Sequence, residues 1–481
     1  MMNHFLRIWI SLAIIMTFFV ACAVNPVTGK RELMLLTESD EIKLGQTTDK
    51  SIVEMYGIYD DEALRNYISE IGSKMVPISH RPNLKFEFKV MDSPVINAFA
   101  VPGGFVYITR GILAYLNNEA ELAGVVGHEI GHVTARHSAK QYSNAQLAQV
   151  GLGLGSILSE DFARYSGLAA QGIGLLFLKF SRDNESQSDD LGVEYSTKIG
   201  YDAREMANFF VTLNRMQGGQ TAGGLPDWFS THPNPADRIV EIRGEAAKWQ
   251  QAISASNLKI NRDEYLNKIN GVVCGPNPRQ GFVENNMFYH PDLKFQFPIP
   301  SGWNTTNMPT QVQMLSADEK AAIVFAMSPN KTATEAANYF ISNTKASVSV
   351  QEDIKVHGFA ARRLISVLTG QSGPLQVLSY FIEKDGTVFV FHGFTAQGSF
   401  TQYQDAFENS MSGFAALTDR QKLNIKPDRI RIRKINQPMT LEQALRNFKT
   451  SDDQLKELSL MNGMELNDNL SQGMLIKTID K

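Results

Sequence analysis

The stretch "GVVGHEIGHVTARH", residues 124–137, places three of the chain's 9 histidines within fourteen positions, and its spacing constrains the fold more than any other feature. In an α-helix His128 and His132 stand about 40° apart around the axis and about 6 Å apart along it, so both imidazoles can converge on one ion. Glu129 sits beside them. The helix is specified locally: Asn118 with Glu121 resembles an N-terminal capping box, and "AELAGVV" supplies good helix formers with an apolar face. With so few histidines, roughly 0.01 chance matches to His-Glu-x-x-His are expected, which makes the pattern specific.

This pattern is the arrangement of zinc peptidases, in which two His ligands flank a Glu that takes a proton from the attacking water. Such a site needs a third protein ligand and an open fourth position. His137 lies about 180° round a continuous helix from His128 and reads as structural. The metzincin spacing also fails, because its third His falls at Ser138 and its Gly at Ala135. A better source is "SRDNESQSDDLGVEYSTKIG", residues 181–200, a second helical stretch closing at Gly200. Glu185 and Asp189 share one face of it. A carboxylate from this face completes a His2Glu site, and Asp189 can accept the other ring N–H of a ligating histidine. The length of intervening chain does not by itself select Glu185.

The 481 residues, 43% apolar and 20% charged, leave room for two or three domains. A net charge of -4 excludes the nucleic-acid binders, which carry a basic excess. At the N-terminus "MMNHFLR" precedes an uncharged run, residues 8–21, the pattern of an export signal. As a helix that run rises about 21 Å, short of the roughly 30 Å hydrocarbon core. "FFVAC" resembles a bacterial lipoprotein signal, with Cys22 as the lipid carrier and Phe19 in place of the usual Leu. The alternative is simple secretion, with Cys22 free to pair with Cys274.

The expected fold is multidomain: a signal peptide (1–21), a mainly α metallopeptidase domain with a small sheet and the motif helix (22–250), a linker (251–280), an α+β domain (281–418) and a small βααβ module (425–481). Asp385-Gly386 marks a hairpin in the α+β domain. Two apolar, Gly-rich stretches, residues 145–158 and 166–180, read as buried or lid-forming helices, or else as membrane or unfolded-substrate contacts.

Five segments in order, "NPVTGKREL", "NAFAVPGGFVYITRGIL", "ELAGVVGHEIGHVTARH", "SRDNESQSDDLG" and "THPNPADRI", span Asn25 to Arg243 and resemble the HtpX, BepA and CAAX prenyl endopeptidase group of gluzincin zinc metallopeptidases, especially its exported lipoprotein branch. The resemblance implies one Zn2+ per chain on His128, His132 and Glu185, Glu129 as general base and Asp189 as partner of a ligating histidine. Ser188 stands where that family usually has Ala. Asn97, Ala98 and Phe99 correspond to an edge strand beside the cleft, where an extended peptide can add by main-chain hydrogen bonds. His232 is then a donor to the oxyanion, or a resting-state ligand that closes the fourth position, or a turn histidine before Pro233. Arg238 steadies its loop or helps neutralise the intermediate.

The last 50 or so residues resemble a LysM-like module whose opening strand departs from the usual pattern, which implies contact with peptidoglycan, or else a module for packing or for docking a partner such as an envelope assembly protein. The whole reads as an exported, lipid-anchored zinc endopeptidase of unfolded or misassembled envelope proteins, on the periplasmic face of a bacterial membrane. Ala23 after Cys22 lacks an inner-membrane retention aspartate and points to the outer membrane. The rival is a non-proteolytic envelope lipoprotein, a holdase or scaffold, whose zinc site is structural and closed by His232.

Overall fold

The computed structural model describes residues 22–151, 179–218, 228–232, 237–254, 256–370 and 373–480. The signal at 1–21 and, of the two Gly-rich stretches, residues 152–158 and 166–178 lie outside them, and among the described residues no helix is long and apolar enough to cross a membrane.

The chain forms two compact units, one reaching Gly275 and resuming at Asp428–Asp480, the other Pro276–Pro427. In the first, helix α1 (Glu38–Tyr56) begins at a capping box between Thr37 and Asp40, and α2 (Glu62–Met75) at Asp61. A three-stranded sheet follows, of β1 (Glu87–Met91), β2 (Ala98–Val101) and β3 (Phe105–Thr109), in the order β1-β3-β2. β1 runs parallel to β3, and β2 antiparallel to it, leaving β2 at the edge. Gly103 and Gly104, at φ 87° and 96°, make the tight turn, and a Cβ at Gly104 would lie 2.3 Å from the Lys85 carbonyl oxygen.

Helix α3 (Glu119–Thr134) carries the histidine motif and is buried along its whole length. Helix α4 (His137–Gly151) follows it, and Leu122, Val126 and Ile130 of α3 join one core with α2, the sheet and four later helices: α5 (Arg182–Lys198), α6 (Met206–Gly218), α7 (Arg238–Ala252) and α8 (Arg262–Ile269). The span 251–280, expected as a linker, instead contains α8, whose Tyr265, Leu266 and Ile269 are fully buried. Its glycines turn the chain at Gly271 and Gly275, while Val272 and Val273 between them enter the core. The turn residues are real, but the apolar residues they flank belong to the core of the first unit.

Residues 429–480 run strand (Arg429–Lys434), helix (Leu441–Asn447), helix (Leu455–Met461), strand (Leu475–Asp480), and the two strands pair antiparallel. Ile430, Leu445, Leu458 and Ile476 lie in the same core as α3. The buried Lys477 amine donates to the carbonyls of Ala114 and Leu116, at 2.8 and 2.6 Å. Cys274 is a buried free thiol.

The second unit is α+β. Its seven-stranded antiparallel sheet contains the long hairpins Ser347–Val356, Phe359–Gly370, Gly373–Lys384 and Thr387–Ala396. Asp385 (φ 50°) and Gly386 (φ 78°) form the two-residue turn expected there. Helix Ala333–Thr344 packs on one face of this sheet, helix Phe400–Ser412 with a four-stranded sheet on the other.

Candidate metal centre

Two capped helices build the centre. Asn118 Oδ1 accepts from the Glu121 amide at 2.8 Å to start α3, while the Glu121 carboxylate turns back to the Asn117 amide at 2.8 Å, one residue earlier than in a capping box. α5 starts on a complete capping box between Ser181 and Asn184. The helices meet at glycines. A Cβ on Gly192 would come within 2.9 Å of the His128 amide nitrogen, and one on Gly127 within 3.0 Å of the Gly192 carbonyl oxygen. This close approach carries Glu185, in the first turn of α5, to the histidine face of α3.

His128 Nε2 and His132 Nε2 are 3.0 Å apart. Glu185 lies 3.4 Å from His132 Nε2 and 3.6 Å from His128 Nε2 through its two oxygens. His232 Nδ1 lies 3.0 Å from Glu185 Oε1 and 3.4 Å from His128 Nε2. All four groups are buried, with one ligand atom each within 4.8 Å of the others. Zinc bonds of 2.0–2.1 Å in a tetrahedron separate ligand atoms by about 3.3 Å, which is the scale of these distances. The cluster can hold a metal ion, and its imidazole and carboxylate donors suit zinc.

The surroundings orient the ligands. Asp189 Oδ1 accepts from His128 Nδ1 at 2.9 Å, leaving Nε2 for the ion. Arg238 grips Asp189 through Nε and its terminal nitrogen, both at 2.7 Å, reaches Glu185 at 3.0 Å and lies 4.2 Å from the Phe210 ring centre. It ties the two acids of α5 together. Burial pushes the Asp189 carboxyl up, but Arg238 and His128 outweigh it and hold the group below the usual range. Burial likewise opposes ionisation of Glu185, and the charge of His232 with the contact to His132 brings it well below.

Glu129 differs. Among the described residues neither of its carboxylate oxygens has a hydrogen-bond partner, although the side chain is fully buried, and burial pushes its carboxyl up. His232 Nε2, also without a partner, is 3.8 Å from Glu129 Oε1. His232 follows the short helix Trp228–Thr231 and stacks on Trp228 at 4.3 Å between ring centres. The structure therefore brings His128, Glu129, His132, Glu185, Asp189, His232 and Arg238 together.

Asn97 precedes β2, and its Oδ1 is another buried acceptor without a partner. Ala98 is buried in the main core, whereas Phe99 alternates to the other face and packs on Tyr107 and Tyr56. The Phe99 side chain is part of the packing between β2 and α1. Cys22 begins a short strand, Cys22–Val24, paired with Arg31–Leu33.

Two contacts were not legible beforehand. Trp228 carried no signal in the sequence. His137 was expected to point away, but α3 ends at Thr134, Arg136 turns left-handed at φ 59°, and α4 begins at His137. This returns His137 Nδ1 to 3.1 Å from His132 Nδ1. Burial pushes its ring down to about 4, so it is neutral near pH 7. It is not among the clustered ligand groups.

Residues 62–246, which include every centre residue above, match Peptidase family M48. The chain is 30% identical over 252 residues to the Beta-barrel assembly-enhancing protease of Escherichia coli O157:H7, covering 50% of each. It is 32% identical over 245 residues to the protein of the same name in Yersinia pestis, covering 48% of this chain and 49% of that one. It is 28% identical over 236 residues to the Mitochondrial metalloendopeptidase OMA1 of Arabidopsis thaliana, covering 45% and 46%. The matches span about half the length of these curated relatives.

Proposed function

We propose, from the match of residues 62–246 to Peptidase family M48, that this protein is a zinc-dependent endopeptidase acting on unfolded or misassembled envelope proteins. The observation that carries the reading is Glu129, a buried carboxylate that makes no hydrogen bond among the described residues, set against a His128, His132 and Glu185 cluster. An ion held there supplies Lewis acidity to a water and to the scissile carbonyl. His128 and His132 bind through Nε2, and Glu185 through its carboxylate. Glu129, its carboxyl raised by burial, takes a proton from the attacking water on one oxygen and returns it to the leaving amine nitrogen. Asn97, Ala98 and Phe99 lead into the edge strand β2, whose outer side an extended peptide joins by main-chain hydrogen bonds without regard to sequence.

The envelope setting draws on the names of the bacterial relatives, on the export signal and on Cys22 as a lipid anchor, with the outer membrane as the expected surface. Residues 425–481 remain a candidate for contact with peptidoglycan or an assembly protein. A second reading has its own support. His232 Nδ1 stands among the ligand atoms, which suits a closed structural zinc in a holdase or scaffold. Metal analysis of the full chain after dialysis should find one zinc per chain, lost in Glu185→Ala, together with casein cleavage that a chelator abolishes. A zinc-loaded chain that leaves casein intact, and stays silent as His232→Ala, supports the second reading against the first.

A further inference from the structure

We propose that His137 is the positioning residue for His132: it accepts the His132 Nδ1–H and so holds that ring with its Nε2 lone pair turned into the cluster. The inference rests on the reading of His128, His132 and Glu185 as zinc ligands.

The hydrogen bonds set the tautomers in sequence. Gln187 Oε1, an acceptor only, lies 2.9 Å from His137 Nε2 and takes the one N–H of a neutral imidazole. His137 Nδ1 is left with a lone pair. His132 Nδ1, 3.1 Å away, must then be the donor, and an imidazole protonated on Nδ1 keeps Nε2 free. Ser188 Oγ lies 3.3 Å from the same His137 nitrogen and offers it a second donor. The hydroxyl is a feature of this chain at a position where an alanine would supply nothing.

Helix α5 thus orients both ligating rings. Asp189 does so directly at His128, with a charged acceptor held by Arg238, and Gln187 does so through His137 at His132, with a neutral one. The left-handed turn at Arg136 that makes this contact is braced by an ion pair from Arg136 Nε to Glu41 and a 2.8 Å bond to the Leu36 carbonyl. A non-glycine residue in that conformation costs about 1 kcal/mol and persists where its surroundings hold it.

The test is zinc affinity of the full chain, by competition with a chromogenic chelator. His137→Phe keeps the ring's bulk and removes the acceptor, and should weaken zinc binding about 10–100-fold while circular dichroism stays unchanged. His137→Asn, whose amide oxygen can stand near the position of Nδ1, should recover most of the loss. Gln187→Leu, at a partly exposed position, should weaken binding by a smaller factor. A folded His137→Phe with wild-type affinity, or His137→Asn no tighter than His137→Phe, would overturn the proposal. Should His137→Phe fail to fold, unchanged affinity in Gln187→Leu overturns it. Because the readout is binding, these results leave the peptidase reading standing, whereas a wild-type chain that binds no zinc overturns both.

Discussion

At the scale of single residues the centre is a set of buried charges that balance one another. Arg238 is the pivot, since Asp189 and Glu185 both lean on it. Replacing it by Met keeps much of its volume but removes the guanidinium that pairs with Asp189 and reaches Glu185 in a buried site. The metal-free protein should lose about 3–5 kcal/mol in urea unfolding. Little or no loss would mean that the two acids are balanced by other groups. Much of this residue set was legible, because helical spacing alone put His128 beside His132 and Glu185 beside Asp189. Their division of labour was not, since it depends on which acid the crossing of two helices brings to Nε2. His137 was hidden by Arg136, whose left-handed turn is held by Glu41, far away in sequence.

At the scale of elements, the α3/α5 crossing decides whether the ligands meet. Gly192→Val inserts atoms where even a Cβ would touch the His128 backbone, so it should cost about 1–3 kcal/mol and weaken zinc binding with it. Equal zinc affinity in a folded variant would show that the helices can separate without parting the ligands.

In the second unit, His392 is packed under Phe340 and bonded to Ser379, and burial pushes its ring down to about 4. The unfolded chain therefore binds the extra proton first as pH falls below about 6.5. That stability is present near pH 7 and declines toward pH 4, by about 2 kcal/mol at pH 5. Calorimetry should show the transition of this unit falling over that window, and His392→Gln should flatten the fall. The hairpins here were readable from Asp385-Gly386 and alternating strands, because local turn chemistry set them.

At the scale of the whole molecule, the order of domains along the chain is not the order of packing. Pro276–Pro427 is an insertion, since the Cys274 amide and the Asp428 carbonyl on either side of it are hydrogen-bonded at 2.8 Å. Residues 429–480 belong to the same core as the motif helix. Replacing 276–427 by a short linker should therefore give a folded chain that binds zinc, whereas ending the chain at Pro427 should expose the core and give aggregated protein. A soluble, zinc-binding truncation would contradict this architecture. The sequence could not reveal it, because Gly271, Gly275 and the nearby prolines mark turns equally well at a linker and at the base of an insertion.

The most direct test of the central claim is casein cleavage by the full chain beside Glu129→Gln at equal zinc occupancy. The account predicts turnover by the first and none by the second, with zinc retained in both. Normal cleavage by Glu129→Gln would contradict it, because no other unpartnered carboxylate is buried at the cluster among the described residues.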